Sequence, residues 1–132
     1  MPLTFSHSPI LPAIPAEFPF LQQILLQDGK STIASARWLD TGEGVIQLLD
    51  LQVTPDLRRT GIGKKILNEL LDQVRRHCKQ RKTPFRRIWI RLDQKTHVIG
   101  RAFLSGNGFH HIATMNGLHK DQDDLIYVRA MD

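Results

Sequence analysis

Val45-Ile46-Gln47-Leu48-Leu49-Asp50-Leu51-Gln52-Val53 is an apolar run that stops at Thr54-Pro55, and Arg58-Arg59-Thr60-Gly61-Ile62-Gly63 follows shortly after. The run is apolar enough to be a central strand, and the proline cannot continue a sheet ladder. From Ile62 the apolar period changes. Ile66, Leu67, Leu70, Leu71, Val74 and Cys78 fall on one stripe of a helix running to about Lys82. A strand, a basic loop with glycines and a helix start present backbone N–H groups and a positive helix end to a phosphate. Gly61 and Gly63 let the chain turn tightly and let an anion approach without meeting a Cβ.

On the N-terminal side, Leu21–Gln27 and Ser31–Leu39 read as strands joined at Asp28-Gly29-Lys30, with a second turn at Thr41-Gly42-Glu43-Gly44. Residues 1–20 carry prolines at 2, 9, 12, 15 and 19 and so form no regular helix, although Phe5, Phe18 and Phe20 are available to pack on a core. On the C-terminal side, Lys82-Thr83-Pro84 ends the long helix. Arg87–Leu92 is a strand with Ile88 and Ile90 on one face and Trp89 on the other. Asp93–Asn107 suits a short helix stopped by Gly106-Asn107-Gly108. Phe109–Met115 and Leu125–Ala130 form a last strand pair across a polar loop, Asn116–Asp124.

The chain has 132 residues, enough for a single domain with a proper core. We divide it into a Pro-rich segment, 1–20, and a folded domain, 21–132. No apolar run approaches the roughly 20 residues needed to span a bilayer, and the start does not read as a secretory signal. A single cysteine, Cys78, excludes an internal disulfide, so a cytoplasmic setting is expected. Cys78 lies on the apolar stripe and reads as core, not as a nucleophile. The net charge is +5, concentrated between Arg58 and Arg91. Such a patch attracts polyanions, including a small ligand with several phosphates. The chain lacks a recognised nucleic-acid module and an aromatic platform, which argues against nucleic acid as the partner. The histidines have no metal-ligand spacing, so no metal site is expected. A Walker loop is excluded because Lys65 follows Gly63-Lys64, and a dinucleotide fingerprint because Ile66 stands where its third glycine belongs.

Leu51-x-Val53-x-Pro55 followed by Arg58-x-x-Gly61-x-Gly63 resembles the acyl-CoA-binding motif of the GNAT superfamily of N-acyltransferases. Arg101 to Phe109, ending in Gly108-Phe109, resembles the family helix that leads into the sixth strand. The resemblance covers about residues 21–130. It implies an α/β fold: a mixed, mainly antiparallel sheet flanked by helices, with a splayed central strand pair. It also implies an acyl-CoA-dependent N-acyltransferase that moves acetyl from acetyl-CoA, its cosubstrate, to a primary amine on a small molecule or protein. Pantetheine would lie between Val45–Val53 and Arg87–Leu92, pairing with Leu51, Gln52 and Val53 as a false strand. A backbone N–H near Leu51 would hold the developing oxyanion. N–H groups across Arg58, Arg59, Thr60, Gly61, Ile62, Gly63 and Lys64 would take the pyrophosphate.

The sequence departs from the family pattern in several places. The family's tyrosine general acid is replaced by Leu104, and Tyr127 is the only tyrosine. His97 replaces a common asparagine and either bonds the cofactor or caps the helix. Gln47 and Leu49 stand where some members carry a base, leaving Asp50 as a provisional catalytic carboxylate. The first strand and helix pair that usually wall the acceptor site are replaced by the Pro-rich segment. That segment covers the site as a strap, or a second subunit of a homodimer does, or the site is open. These departures keep alive a coenzyme A-binding regulatory module without turnover, with a nucleic-acid-binding protein ranked last. Asp121, Asp123 and Asp124 mark a loop expected to attract a cationic acceptor.

Overall fold

The computed structural model describes residues 3–9, 20–40, 43–57, 60–93, 100–119 and 122–131. The elements are β1 (Leu3–Pro9), β2 (Phe20–Asp28), β3 (Ser31–Asp40), β4 (Val45–Val53), a 3-10 turn (Pro55–Leu57), α1 (Ile62–Gln80), β5 (Arg87–Asp93), α2 (Arg101–Gly106), β6 (His110–His119) and β7 (Gln122–Ala130). The strands form one sheet in the order β1-β2-β3-β4-β5-β7-β6. Only β4 and β5 are parallel; every other pair is antiparallel. A parallel pair needs a crossover, and α1 supplies it.

Alternation decides which face is the core. Ile24 and Leu26, Ala34, Ala36 and Trp38, Ile46 and Leu48, Ile88, Ile90 and Leu92, and Leu125 and Tyr127 are all buried. By register these side chains share one face, and α1 lies across it with its stripe from Ile66 to Cys78 buried. Trp38 donates its indole N–H to Gln73 Oε1 of α1 at 2.8 Å. Helix α2 meets the same face: Leu104 is fully buried, and Arg101 Nε donates to Tyr127 Oη at 3.1 Å. The opposite face carries half-buried Ile33, Leu39, Trp89 and Val128.

Two turns fix the strand ends. Gly44 has φ +79°, and a Cβ there would sit 1.9 Å from the Pro84 carbonyl oxygen, so only glycine fits. Its own carbonyl accepts from Arg86 N–H at 2.8 Å, tying the start of β4 to the start of β5. At the end of α1, Lys82 takes φ 56°, and Thr83 N–H reaches back to Cys78 O at 2.9 Å. This is a left-handed helix stop without the usual glycine.

Three differences from the sequence reading have physical causes. Leu3–Pro9, inside the segment read as irregular, is a strand paired with β2 from Leu3↔Asp28 to Pro9↔Gln22. Proline excludes a helix but is tolerated on an edge strand, and Pro9 ends this one. Strands β6 and β7 extend well into the stretch read as a polar loop, because ladder bonds override local polarity. Helix α2 begins only at Arg101. The turn residues Thr41 and Gly42 lie outside the described residues.

Candidate functional site

The geometry of the site begins with an extra residue in β4. The β3–β4 register runs Ala36↔Leu51, Arg37↔Asp50 and then Trp38↔Leu48, so Leu49 is the bulged residue. A bulge bends its strand and sharpens its twist. The β4–β5 ladder covers only Val45↔Arg87, Ile46↔Ile88 and Gln47↔Trp89. Beyond Gln47 the two strands part, although each continues for several residues. Among the described residues, the β5-facing edge of Leu48–Gln52 therefore has no pairing with β5. A gap of this kind accepts an extended chain that bonds backbone as a strand does.

The chain leaves β4 through the 3-10 turn and enters α1 at Gly61. Gly61 is the N-cap residue at φ 88°, ψ −2°, with no side-chain cap. The first intrahelical bond is Lys65 N–H to Gly61 O at 3.0 Å. The N–H groups of Ile62, Gly63 and Lys64 therefore precede the ladder and point out of the helix end. No acidic residue lies in the first turn, and Lys64 and Lys65 are exposed. Positive charge at a helix start is unfavourable unless an anion joins it. Thr60 donates its hydroxyl to Leu57 O and so braces the loop. Arg58 and Arg59 lie outside the described residues, as does His97.

The two glycines do different work. A Cβ on Gly61 would meet open space, so its requirement is the positive φ. A Cβ on Gly63 would come 3.0 Å from Phe103 Cε2, so its requirement is packing of α2 on the first turn of α1. The sequence reading missed this contact. Its only trace is the apolar Phe103 beside Leu104.

The candidate catalytic side chains are less open than the sequence suggested. Asp50 shares with Gln47 the sheet face opposite to α1 and to Leu51, because the bulge precedes it. Its Oδ2 accepts from Arg37 Nε at 2.8 Å and from Arg37 Nη2. This bond, with the nearby negative charge, holds the Arg37 guanidinium above its ordinary range despite partial burial. No sequence signal paired these residues, since the bulge sets the register. Leu104, at the position of the family acid, is fully buried in the core. Asp124 is also fully buried, with Arg91 Nε 3.4 Å from its Oδ2. It belongs to β7 and an ion pair, not to an exposed acidic loop. Asp121 and the side chain of Asp123 lie outside the described residues. Cys78 is core, as expected, and burial first, then Asp40, pushes its thiol up, against an opposing effect of Arg81. Among the described residues no group of three potential ligands is placed to hold a metal.

A cavity of about 320 Å³ opens where β3 begins and β4 ends, lined by Thr32, Ile33, Ala34, Ser35, Gln52, Val53, Thr54 and Pro55. It includes Gln52 and Val53 but none of Thr60–Lys64, so cavity and loop are separate parts of this region. No described helix is long and apolar enough to cross a membrane.

The Acetyltransferase (GNAT) family model matches residues 4–109, and the chain belongs to this family. The match begins inside β1, earlier than the motifs alone suggested. No curated protein matches the sequence. Solved structures show the same fold. An IAA acetyltransferase from Bacillus cereus ATCC 14579 superposes with TM-score 0.73 at 14% identity, over 98% of this chain and 100% of that one. A GNAT family acetyltransferase from Elizabethkingia anophelis with acetyl-CoA bound gives 0.69 at 13% identity, over 98% of each chain. The ribosomal-protein-S18-alanine N-acetyltransferase of Escherichia coli gives 0.67 at 16% identity, over 98% and 95%.

Proposed function

We propose that this member of the GNAT family transfers an acetyl group from acetyl-CoA to a primary amine. The observation that carries the reading is the parting of β4 and β5 after Gln47↔Trp89, with the bare N–H groups of α1 just beyond. One gap suits an amide-bearing arm and one helix start suits a pyrophosphate, in the order coenzyme A presents them. The acetyl-CoA-bound relative from Elizabethkingia anophelis supports the same cosubstrate.

In this reading Leu51, Gln52 and Val53 pair with the pantetheine, and a backbone N–H near Leu51 stabilises the oxyanion. Thr60, Gly61, Ile62, Gly63 and Lys64 bind the pyrophosphate, with Arg58 and Arg59 beside them and His97 as a further contact. The amine nitrogen attacks the thioester carbonyl carbon, the C–S bond breaks, and the coenzyme leaves as a thiolate. The amine proton passes to solvent, or to Asp50 through water. Most of the acceleration comes from holding amine and thioester together. The test is thiol release from acetyl-CoA over a panel of amines. No release with any amine, in a protein that still binds the coenzyme, would reject turnover.

A second reading, a coenzyme A-binding module without turnover, is favoured by one observation. Leu104 is sealed in the core where the family carries its acid. The amine panel separates the two readings. A homodimer is part of our proposal as well. Ile112 is 60% and Met115 42% exposed, and both lie on edge strand β6, which is open to pairing with another copy.

A further inference from the structure

Breaking the thioester C–S bond leaves a sulfur that must take up a proton. Leu104, fully buried on the inner face of α2, offers none. The chain has a single tyrosine, Tyr127, which stands on β7 directly across from Ile90 of β5. The β4–β5 ladder ends at Gln47↔Trp89, so Ile90 is the first residue of β5 beyond it. Ile90 and Tyr127 are buried on the face that carries α1 and α2. Tyr127 is thus one strand spacing, about 4.8 Å, from the strand that walls the gap.

The hydroxyl is held at the start of α2. Arg101, in the first turn of that helix, donates its Nε–H to Tyr127 Oη at 3.1 Å. Two residues on, Phe103 packs against Gly63 in the first turn of α1. The hydroxyl and the free N–H groups of α1 therefore lie on the same side of the sheet, joined through one short helix. Asp50 lies on the opposite face, so proton delivery and proton removal fall on different sides of the gap.

A phenol hydroxyl both accepts and donates. Arg101 fills an acceptor position of Tyr127, and no acceptor for the hydroxyl's own proton occurs among the described residues. His111, whose ring is 5.3 Å from that of Tyr127, turns its Nε2 to Ala113 O and Thr114 Oγ1 instead. Tyr127 is 4% exposed, so bulk water barely competes for the proton. Among the described residues no carboxylate pairs with Arg101, which leaves its charge to face a phenolate.

We infer that Tyr127 is the proton donor to the departing sulfur, with Arg101 as its positioning residue; this rests on the acetyltransferase reading. The amine nitrogen bonds to the thioester carbon, and the C–S bond breaks with its electron pair going to sulfur. The Tyr127 O–H proton moves to that sulfur and gives the free thiol. The phenolate is held by the Arg101 guanidinium until solvent returns a proton. The proton lost by the amine goes to solvent, so atoms and charges balance and the donor is reset.

The single tyrosine makes the test specific. Growth on fluorotyrosine labels Tyr127 alone in the full chain, and a fluorine NMR signal then reports its ring. Coenzyme A should move that signal saturably. Desulfo-coenzyme A, which keeps the nucleotide and the arm but lacks the sulfur, should move it clearly less. Tyr127→Phe keeps the ring in the core and should lower kcat for thiol release roughly a hundredfold. Its KM for acetyl-CoA, and the rise in melting temperature that acetyl-CoA induces, should stay near the wild-type values. Arg101→Met should lose less of kcat, because the hydroxyl remains, and an unchanged kcat there would remove Arg101 from the role. Wild-type kcat in Tyr127→Phe would overturn the donor. Equal fluorine shifts with the two coenzymes, or none with either, would overturn the contact with sulfur. No thiol release from the wild type with any amine would instead reject transfer itself, and the fluorine comparison would still decide whether the hydroxyl meets the sulfur.

Discussion

Gly61→Asp and Gly61→Asn, made as a pair, isolate the electrostatics of the helix start from its backbone geometry. Gly61 sits at φ 88° with open space around its missing Cβ, so neither side chain meets a steric obstacle. Asn and Asp tolerate the left-handed region better than other residues, and each should cost about 1 kcal/mol in the free protein. For a domain of this size that is a fall of about 3–5 °C in melting temperature. The two variants differ only in charge. A carboxylate about 5 Å from one phosphate charge, at an effective dielectric of about 20, repels it by about 3 kcal/mol. The position is exposed, so screening reduces this to about 1.5 kcal/mol, a tenfold loss of affinity. Acetyl-CoA at a hundred times its Kd stabilises the native state by about 2.7 kcal/mol, and at ten times by about 1.4 kcal/mol. The expected outcome is a ligand-induced shift cut to about half in Gly61→Asp and kept in Gly61→Asn. The assay is a thermal melt over a range of acetyl-CoA concentrations. Equal shifts in wild type and both variants would refute the placement of the pyrophosphate at this loop.

Gly44→Ala should destabilise by about 2–5 kcal/mol, since a positive φ and a Cβ 1.9 Å from a backbone oxygen act together, and denaturant unfolding measures it. Leu104→Tyr, which the family pattern suggests as a harmless gain of a proton donor, should lose about 1–3 kcal/mol through overpacking of a fully buried position, seen as a lower melting temperature with acetyl-CoA binding retained. Lys82→Gly should gain about 1 kcal/mol by relieving the φ of 56° at the end of α1, raising the melting point by a few degrees. The thiol of Cys78 should react with a disulfide reagent only after unfolding. Its raised folded-state pKa means the protonated form is favoured in the fold, so its contribution to stability is present below the ordinary value of 9.0 and lost as pH rises through the folded value. Unfolding at several pH values checks this, and Cys78→Ala should flatten that part of the profile.

Much of the fold was legible because it rests on short-range physics. The boundaries of β4 follow from its apolar run and Pro55, and the stripe from Ile66 to Cys78 is a period that any reader of the sequence sees. The placement of Gly61 at a left-handed helix start follows from its being the residue that tolerates such a φ. Other features depended on register, which the sequence leaves free. The extra residue at Leu49 turned Asp50 toward Arg37 and opened the edge beyond Gln47. Nothing in the alternation of β4 marks where the ladder slips, because the slip is set by the strands on either side. The N-terminal prolines hid β1, since an edge strand needs only a partner's backbone and tolerates them. Asp124 reads as an exposed turn acid in a polar stretch, and tertiary pairing with Arg91 buried it. Local preference thus determined most of the helix and strand segments and where the glycine turn at the start of α1 lies. Tertiary packing decided which polar side chains are locked to one another, because a contact between residues distant in sequence exists only once the sheet has closed its register.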